Sequence, residues 1–188
     1  MELQDILLLL LKPWIPSGSE PSNNTIIKEA FREHCDEVYD DALGNVIGVK
    51  KGNLGVFKVM LAAHMDEIGM MVKQIDERGF ISFSFVGGVD QRILPAQSVI
   101  IHGNKDISGV IGTKPPHIQT REERQKAIKH EDMFIDTGLP APMIREHVKI
   151  GDYITFERKP LELANGRWAS NAMDDRAVLP LCYGPFGS

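Results

Sequence analysis

Apolar residues at the start of the chain recur at helical spacing. Leu3, Ile6, Leu7 and Leu10 share one face, which predicts a first helix ended by Pro13 and the Pro16-Ser17-Gly18 turn. Leu8, Leu9 and Leu11 widen the apolar surface beyond that face and require cover from another element or subunit. A second helix is predicted from Ser22-Asn23-Asn24, any of which can cap it, to about Glu37. Ile27, Ala30, Phe31, Cys35 and Val38 mark its buried side. Val38-Tyr39 and Val46 to Val49 read as strands joined around Leu43-Gly44-Asn45. Gly52-Asn53 then turns the chain into a nearly unbroken apolar run, Val56 to Ala63, interrupted by Lys58. Such a run predicts a strand buried on both faces of a sheet.

After Gly69 the period shortens to two. Met70 to Ile75, Phe80 to Phe85, Ser98 to His102, Ile107 to Ile111 and Val148 to Phe156 predict short strands. Ile81-Ser82-Phe83-Ser84-Phe85 alternates as a half-buried antiparallel strand does. Turns are expected at Asp76-Glu77-Arg78-Gly79 and Gly103-Asn104, and the polar segment Gln119 to Asp132 predicts a loop or a short exposed helix. The β pattern ends near Leu163, Asn165-Gly166 turns the chain, and Arg167 to Ser170 forms a last strand. The fold class is α/β with an all-β module inserted. Residues 1–67 open the α/β domain, 68–163 form the insert, and 164–188 return to the α/β domain.

Composition removes several function classes. With 21 basic against 26 acidic residues, a net charge of −5 and no basic stripe, the chain suits neither nucleic acid nor an anionic membrane surface. Ile6 to Leu11 is too short to span a bilayer, and the acidic start is wrong for a signal peptide. Cys35 and Cys182 form no CxxC pair or disulfide framework, so a reduced, cytoplasmic protein is expected.

Two clusters carry chemistry. His64, Asp66 and Glu67 follow the apolar run, and polar groups just past a strand's carboxyl end line the ligand crevice of open α/β sheets. His64 reads either as a hydrogen-bonded structural residue or as a metal ligand. Asp66, two residues on, points the same way in an extended segment and can fix its tautomer, whereas Glu67 should face the other side. Far downstream, Asp174-Asp175-Arg176 reads either as acids at a helix N-terminus or as a carboxylate bridging two metal ions.

Five ordered blocks resemble one family. They are Asp41-Ala42-Leu43-Gly44-Asn45; Ala63-His64-Met65-Asp66-Glu67-Ile68-Gly69; Val86-Gly87-Gly88-Val89-Asp90 through Leu94-Pro95; Gly112-Thr113-Lys114-Pro115-Pro116-His117; and Asn171-Ala172-Met173-Asp174-Asp175-Arg176. Together they are similar to the M42 metallo-aminopeptidases, the glutamyl-aminopeptidase-like, tetrahedral enzymes sometimes labelled endoglucanases. The resemblance implies a zinc-peptidase-like α/β domain carrying an inserted small antiparallel β-barrel that builds dimers and dodecamers. It implies two divalent ions, zinc or cobalt, with His64 binding one, Asp174 bridging both and Asp66 orienting His64 as a catalytic-site residue. A peptide substrate, loss of its N-terminal residue and a homo-oligomer are implied as well.

The resemblance also implies later features: a paired glutamate supplying the general base and a ligand, a second aspartate and a C-terminal histidine. Val178 to Ser188, broken by Pro180 and Gly184-Pro185, offers no candidate for them. The expectation is therefore a chain cut short, inactive or nearly so, exposing Val56 to Ala63 and its leucine-rich helix. The alternative is a non-catalytic remnant competent only for self-association through the insert. A glycosidase reading has only scattered carboxylates behind it, not the required acid pair.

Overall fold

The computed structural model describes residues 3–52, 55, 57–121 and 128–180. It divides into two compact units, Met1–Glu67 with Lys159–Ser188, and Ile68–Arg158.

Helix α1 (Leu3–Leu10) carries Asp5 in its first turn, where an acid favours the positive end of the dipole. Ile6, Leu10 and Leu11 are buried and Leu7 to Leu9 half-buried, so the expected exposure of this helix is not found. Ile15, Ile27, Ala30, Phe31 and Leu179 supply the cover. The second predicted helix is split into α2 (Glu20–Asn23) and α3 (Thr25–His34). None of the proposed caps closes α3 with its side chain. Because α2 runs straight into α3, Asn24 has near-helical dihedrals (φ −86°, ψ 5°) and not the extended ones that aim a cap at the helix N–H groups. The helix also stops three residues early, since Glu37 is taken by a hairpin, β1 (Glu37–Asp40) with β2 (Val46–Val49). Asp41 builds its turn, Oδ1 accepting the N–H groups of Leu43 and Asn45 while Gly44 sits at φ +90°. Gly48 lets the hairpin close on α3, for a Cβ there would meet the Cys35 sulfur at 2.7 Å.

The predicted strand over 56–63 is absent. Val56, with Asn53 and Leu54, lies outside the described residues, and 57–63 takes no regular structure. Phe57 (83% exposed), Val59 (76%), Met60 (87%) and Leu61 (51%) face solvent. A strand exists only where a neighbour accepts its hydrogen bonds, and no described strand pairs with this run. Order returns at Ala63 and Met65, which pack against the core of their unit, and at Glu67, which makes a parallel bridge with Pro16.

The second unit is a closed antiparallel barrel. Its strands are β3 (Gly69–Ile75), β4 (Ile81–Val86), β5 (Ser98–His102), β6 (Asp106–Thr113), β7 (Met133–Asp136) and β8 (Tyr153–Phe156), with helix α4 (Ala141–His147) before the last. The order around the barrel is β3-β4-β7-β6-β5-β8. Alternate residues fill the interior, among them Ile81, Phe83, Val99, Ile101, Ile107, Ile111, Met133, Ile135 and Ile154. Strand β8 is half as long as predicted. Val148 caps α4, and Lys149 to Asp152 form a turn with Gly151 at φ +96°. A short 3-10 turn at Pro116–Ile118 precedes the polar segment, which ends in another at His130–Asp132, with residues 122–127 outside the described set.

The chain then forms the hairpin β9 (Leu161–Leu163) with β10 (Arg167–Ala169), turned by Asn165 and Gly166, both at positive φ as Asn-Gly favours. Helix α5 (Met173–Arg176) is a single turn. Residues 181–188, with Cys182 and the Gly184-Pro185 break, lie outside the described residues. Among the described residues no helix is long and apolar enough to cross a membrane.

Candidate functional site

The segment 63–67 is extended, and period two sorts its side chains. Ala63, Met65 and Glu67 turn inward, while His64 and Asp66 turn to the other side. His64 Nδ1 lies 3.1 Å from the Asp66 carbonyl oxygen and 3.3 Å from its Oδ1. Ser17 Oγ donates to Asp66 Oδ2 and holds that carboxylate from behind. Across 110 residues of sequence, His64 Nε2 lies 3.3 Å from Asp174 Oδ1. A proton on Nδ1 is donated to Asp66, which leaves the Nε2 lone pair directed at the Asp174 side.

Asp174 does not sit on a regular helix N-terminus. Its dihedrals (φ −88°, ψ 107°) and those of Asp175 (φ −118°, ψ 17°) are non-helical, and its carboxylate is 97% exposed. Arg176, by contrast, is wholly buried. Its Nε donates to the Met65 carbonyl (2.7 Å), and its Nη1 donates to the carbonyls of Pro13 (2.6 Å) and Leu10 (3.4 Å). Nη2 stands at ion-pair distance, 3.6 Å, from Glu67 Oε1. Glu67, also buried, accepts from the Ile15 backbone N–H and from Asn171 Nδ2 (2.6 Å). Burial pushes the Arg176 guanidinium below its ordinary value, and the carboxylates of Glu67 and Asp66 pull the other way.

Sequence reasoning gave Glu67 no task and read Arg176 only as part of a motif. An arginine is almost never fully buried unless paired, so nothing in the sequence announced this one. Ser17 stands in the sequence only as part of the Pro16-Ser17-Gly18 turn.

Partial burial lowers the affinity of His64 for a proton, but its hydrogen bonds to Asp174 and the Asp66 carbonyl, with the charges of both carboxylates, raise it overall above the ordinary value. A raised folded pKa means that the pairing stabilises below the unfolded value, about 6.5, and is lost as pH rises through the folded one. Asp174→Asn is expected to lower the His64 midpoint in an NMR titration of the ring protons. An unchanged midpoint would show that Asp174 does not hold the imidazolium in solution.

The donor set fits a metal ion in part. Two ligands bound about 2.0–2.1 Å from a tetrahedral ion stand roughly 3.3 Å apart. His64 Nε2 and Asp174 Oδ1 have that spacing. Among the described residues no group of three or more His, Cys, Asp or Glu side chains is arranged to hold an ion.

Residues 44–183 match the family described as M42 glutamyl aminopeptidase. The chain belongs to that family. A lysyl aminopeptidase of Pyrococcus furiosus is 34% identical over 158 residues, 82% of this chain and 45% of that protein. The crystal structure of a TET aminopeptidase from Thaumarchaeota archaeon SCGC AB-539-E09 superposes with a TM-score of 0.84 at 35% identity, covering 93% of this chain and 49% of that one. A TET1 peptidase of Pyrococcus horikoshii, described as able to assemble into a tetrahedron or a large octahedral shell, gives 0.77 at 30%, covering 97% and 55%. This M42 chain spans about half the length of the curated relatives it matches.

Proposed function

We propose that this chain carries the first part of a metal-dependent aminopeptidase centre, with His64 and Asp174 as ligands and Asp66 as the residue that orients His64. The observation that carries the reading is the meeting of His64 Nε2 and Asp174 Oδ1 with Asp66 on the opposite ring nitrogen. A pair of divalent ions, zinc or cobalt, would lower the pKa of a bound water and polarise a substrate carbonyl. Within the chain, Asp66 keeps the Nδ1 proton in place, Ser17 fixes Asp66, and Asp174 offers an exposed carboxylate that can serve two ions. The substrate would be a peptide, losing its N-terminal residue.

Two donors hold an ion loosely, because zinc sites take at least three protein ligands. Isothermal titration with zinc or cobalt should show weak binding of fewer than two ions per chain, abolished by His64→Ala. Two tight sites, or binding indifferent to the substitution, would remove these residues from the metal role. Turnover of aminoacyl-nitroanilides should be lower by several orders of magnitude than a complete centre gives, since a base is needed as well as ligands. Metal-dependent turnover that vanishes with His64→Ala would mean that another subunit or a further residue of this chain completes the site.

We further propose that the insert, residues 68–163, is a dimerisation-type domain. The P. horikoshii relative's assembly into shells supports this reading. Expressed alone, Ile68 to Leu163 should give dispersed methyl resonances and a mass above that of one chain in solution. An unfolded product would refute the boundary, and a folded monomer the assembly.

A further inference from the structure

The Asp174 carboxylate reaches His64 from a short turn whose backbone hydrogen bonds leave Asp174 itself out. Asp174 and Asp175 lie outside helical dihedrals, and the backbone bonds of the turn, Arg176 N–H to Ala172 (3.3 Å), Ala177 N–H to Met173 (3.0 Å) and to Asp175, and Val178 N–H to Asp175 (2.9 Å), do not include Asp174. The side chain of Asp174 is itself almost fully exposed. The turn is nevertheless fastened on both sides of Asp174. Three residues before it, Asn171 Nδ2 donates to Glu67 Oε2 at 2.6 Å. Two residues after it, Arg176 donates to the Met65 carbonyl and stands beside Glu67 Oε1. Both fasteners end on Met65 and Glu67, within the extended segment 63–67 that carries His64, and both converge on Glu67. Glu67 Oε1 in turn accepts the Ile15 backbone N–H, beside the isolated bridge that Glu67 makes with Pro16.

We infer that Glu67 and Arg176 are positioning residues that set Asp174 against His64, with Asn171 the arm through which Glu67 acts. The period of the extended segment makes this economical. One residue, His64, points toward the exposed site, and a near neighbour, Glu67, points inward to grip the turn that brings the second ligand. Metal ligands must sit within about 0.2 Å of their ideal distances, so a turn tethered at one end only would leave the pair mis-set. The inference rests on the proposed metal site for its purpose, though not for the geometry it describes.

The test uses the full chain without metal. In the wild type, proton–proton NOEs are expected between the His64 ring (Hδ2 or Hε1) and the Asp174 Hβ protons. Asn171→Asp sets a carboxylate against Glu67 and should abolish these NOEs while the methyl resonances of Leu10, Ile15 and Ile27 keep their dispersion. Asn171→Ala, which deletes the arm without adding charge, should do the same and serves if the first variant unfolds. The double variant Glu67→Gln/Asn171→Asp restores a donor–acceptor pair with its roles exchanged and should bring the NOEs back. A merely structural loss would not be rescued in this way. Absence of the NOEs in the wild type, their persistence in both single variants, or failure of the double variant to restore them would each overturn the inference. Cobalt added to the same samples, read by its visible absorption, should bind 10- to 100-fold more weakly to the single variants and recover in the double. A wild type with the NOEs that binds no cobalt would refute the metal reading while upholding the positioning role.

Discussion

Arg176→Met should cost the unit that contains His64 about 3–5 kcal/mol, the usual penalty for stripping one partner from a buried ion pair. Methionine fills similar space but offers no donor. Glu67 would then be a buried charge without its cation, and the carbonyls of Met65, Pro13 and Leu10 would lose their shared partner. Small domains have only about 5–15 kcal/mol in total, so the change should bring the unit near its unfolding midpoint. Both tryptophans, Trp14 and Trp168, lie in this unit, so fluorescence in urea follows it alone. The expected result is a much lower midpoint by fluorescence, with the methyl spectrum of the barrel unchanged. An unaltered fluorescence midpoint would mean that the guanidinium network contributes nothing net.

Ile154→Ala should destabilise the barrel by about 2–5 kcal/mol, the range for truncating a buried isoleucine with the resulting cavity. Ile154 is fully buried on β8 and sits between Met70 of β3 and Ile101 of β5. Its loss would therefore loosen both ladders that close the barrel. Ile150→Ala, four residues earlier but 73% exposed, should stay within about 0.5 kcal/mol. Amide hydrogen exchange in β3, β5 and β8 separates the two, with faster exchange expected only for Ile154→Ala. Equal effects would contradict the interior placement of Ile154.

The barrel strands were legible because alternation is a local signal: in Ile81 to Phe85 each residue's side of the sheet can be read from its neighbours. Strand β7 escaped because four residues, Met133 to Asp136, are too few to show a period beside a charged segment. The run ending at Ala63 was misread for a different reason. Its composition states what environment the residues favour, while a strand also requires a partner, and no described strand supplies one. At the site, the His-x-Asp spacing and the distant Asp174 were readable as residue types suited to metal chemistry. The Glu67–Arg176 network was not. Its members are ordinary surface charges by sequence, and only the packing of Leu10, Pro13 and Met65 around them makes them interior.

Strand β3 opens the barrel and β8 closes it, and the two are hydrogen-bonded neighbours, Met70 opposite Ile154 and Met71 opposite Tyr153. The chain therefore enters and leaves this unit side by side. To the flanking polypeptide, the whole barrel is equivalent to a tight turn whose ends are already joined by a ladder. The closure entropy of a long loop rises only by about 0.6 kcal/mol per doubling, and here the unit's own folding has already met that cost. A gene segment of this kind can be acquired, enlarged or lost in one recombination event without rerouting its host. Its loops are free to diversify while the two joining points stay fixed.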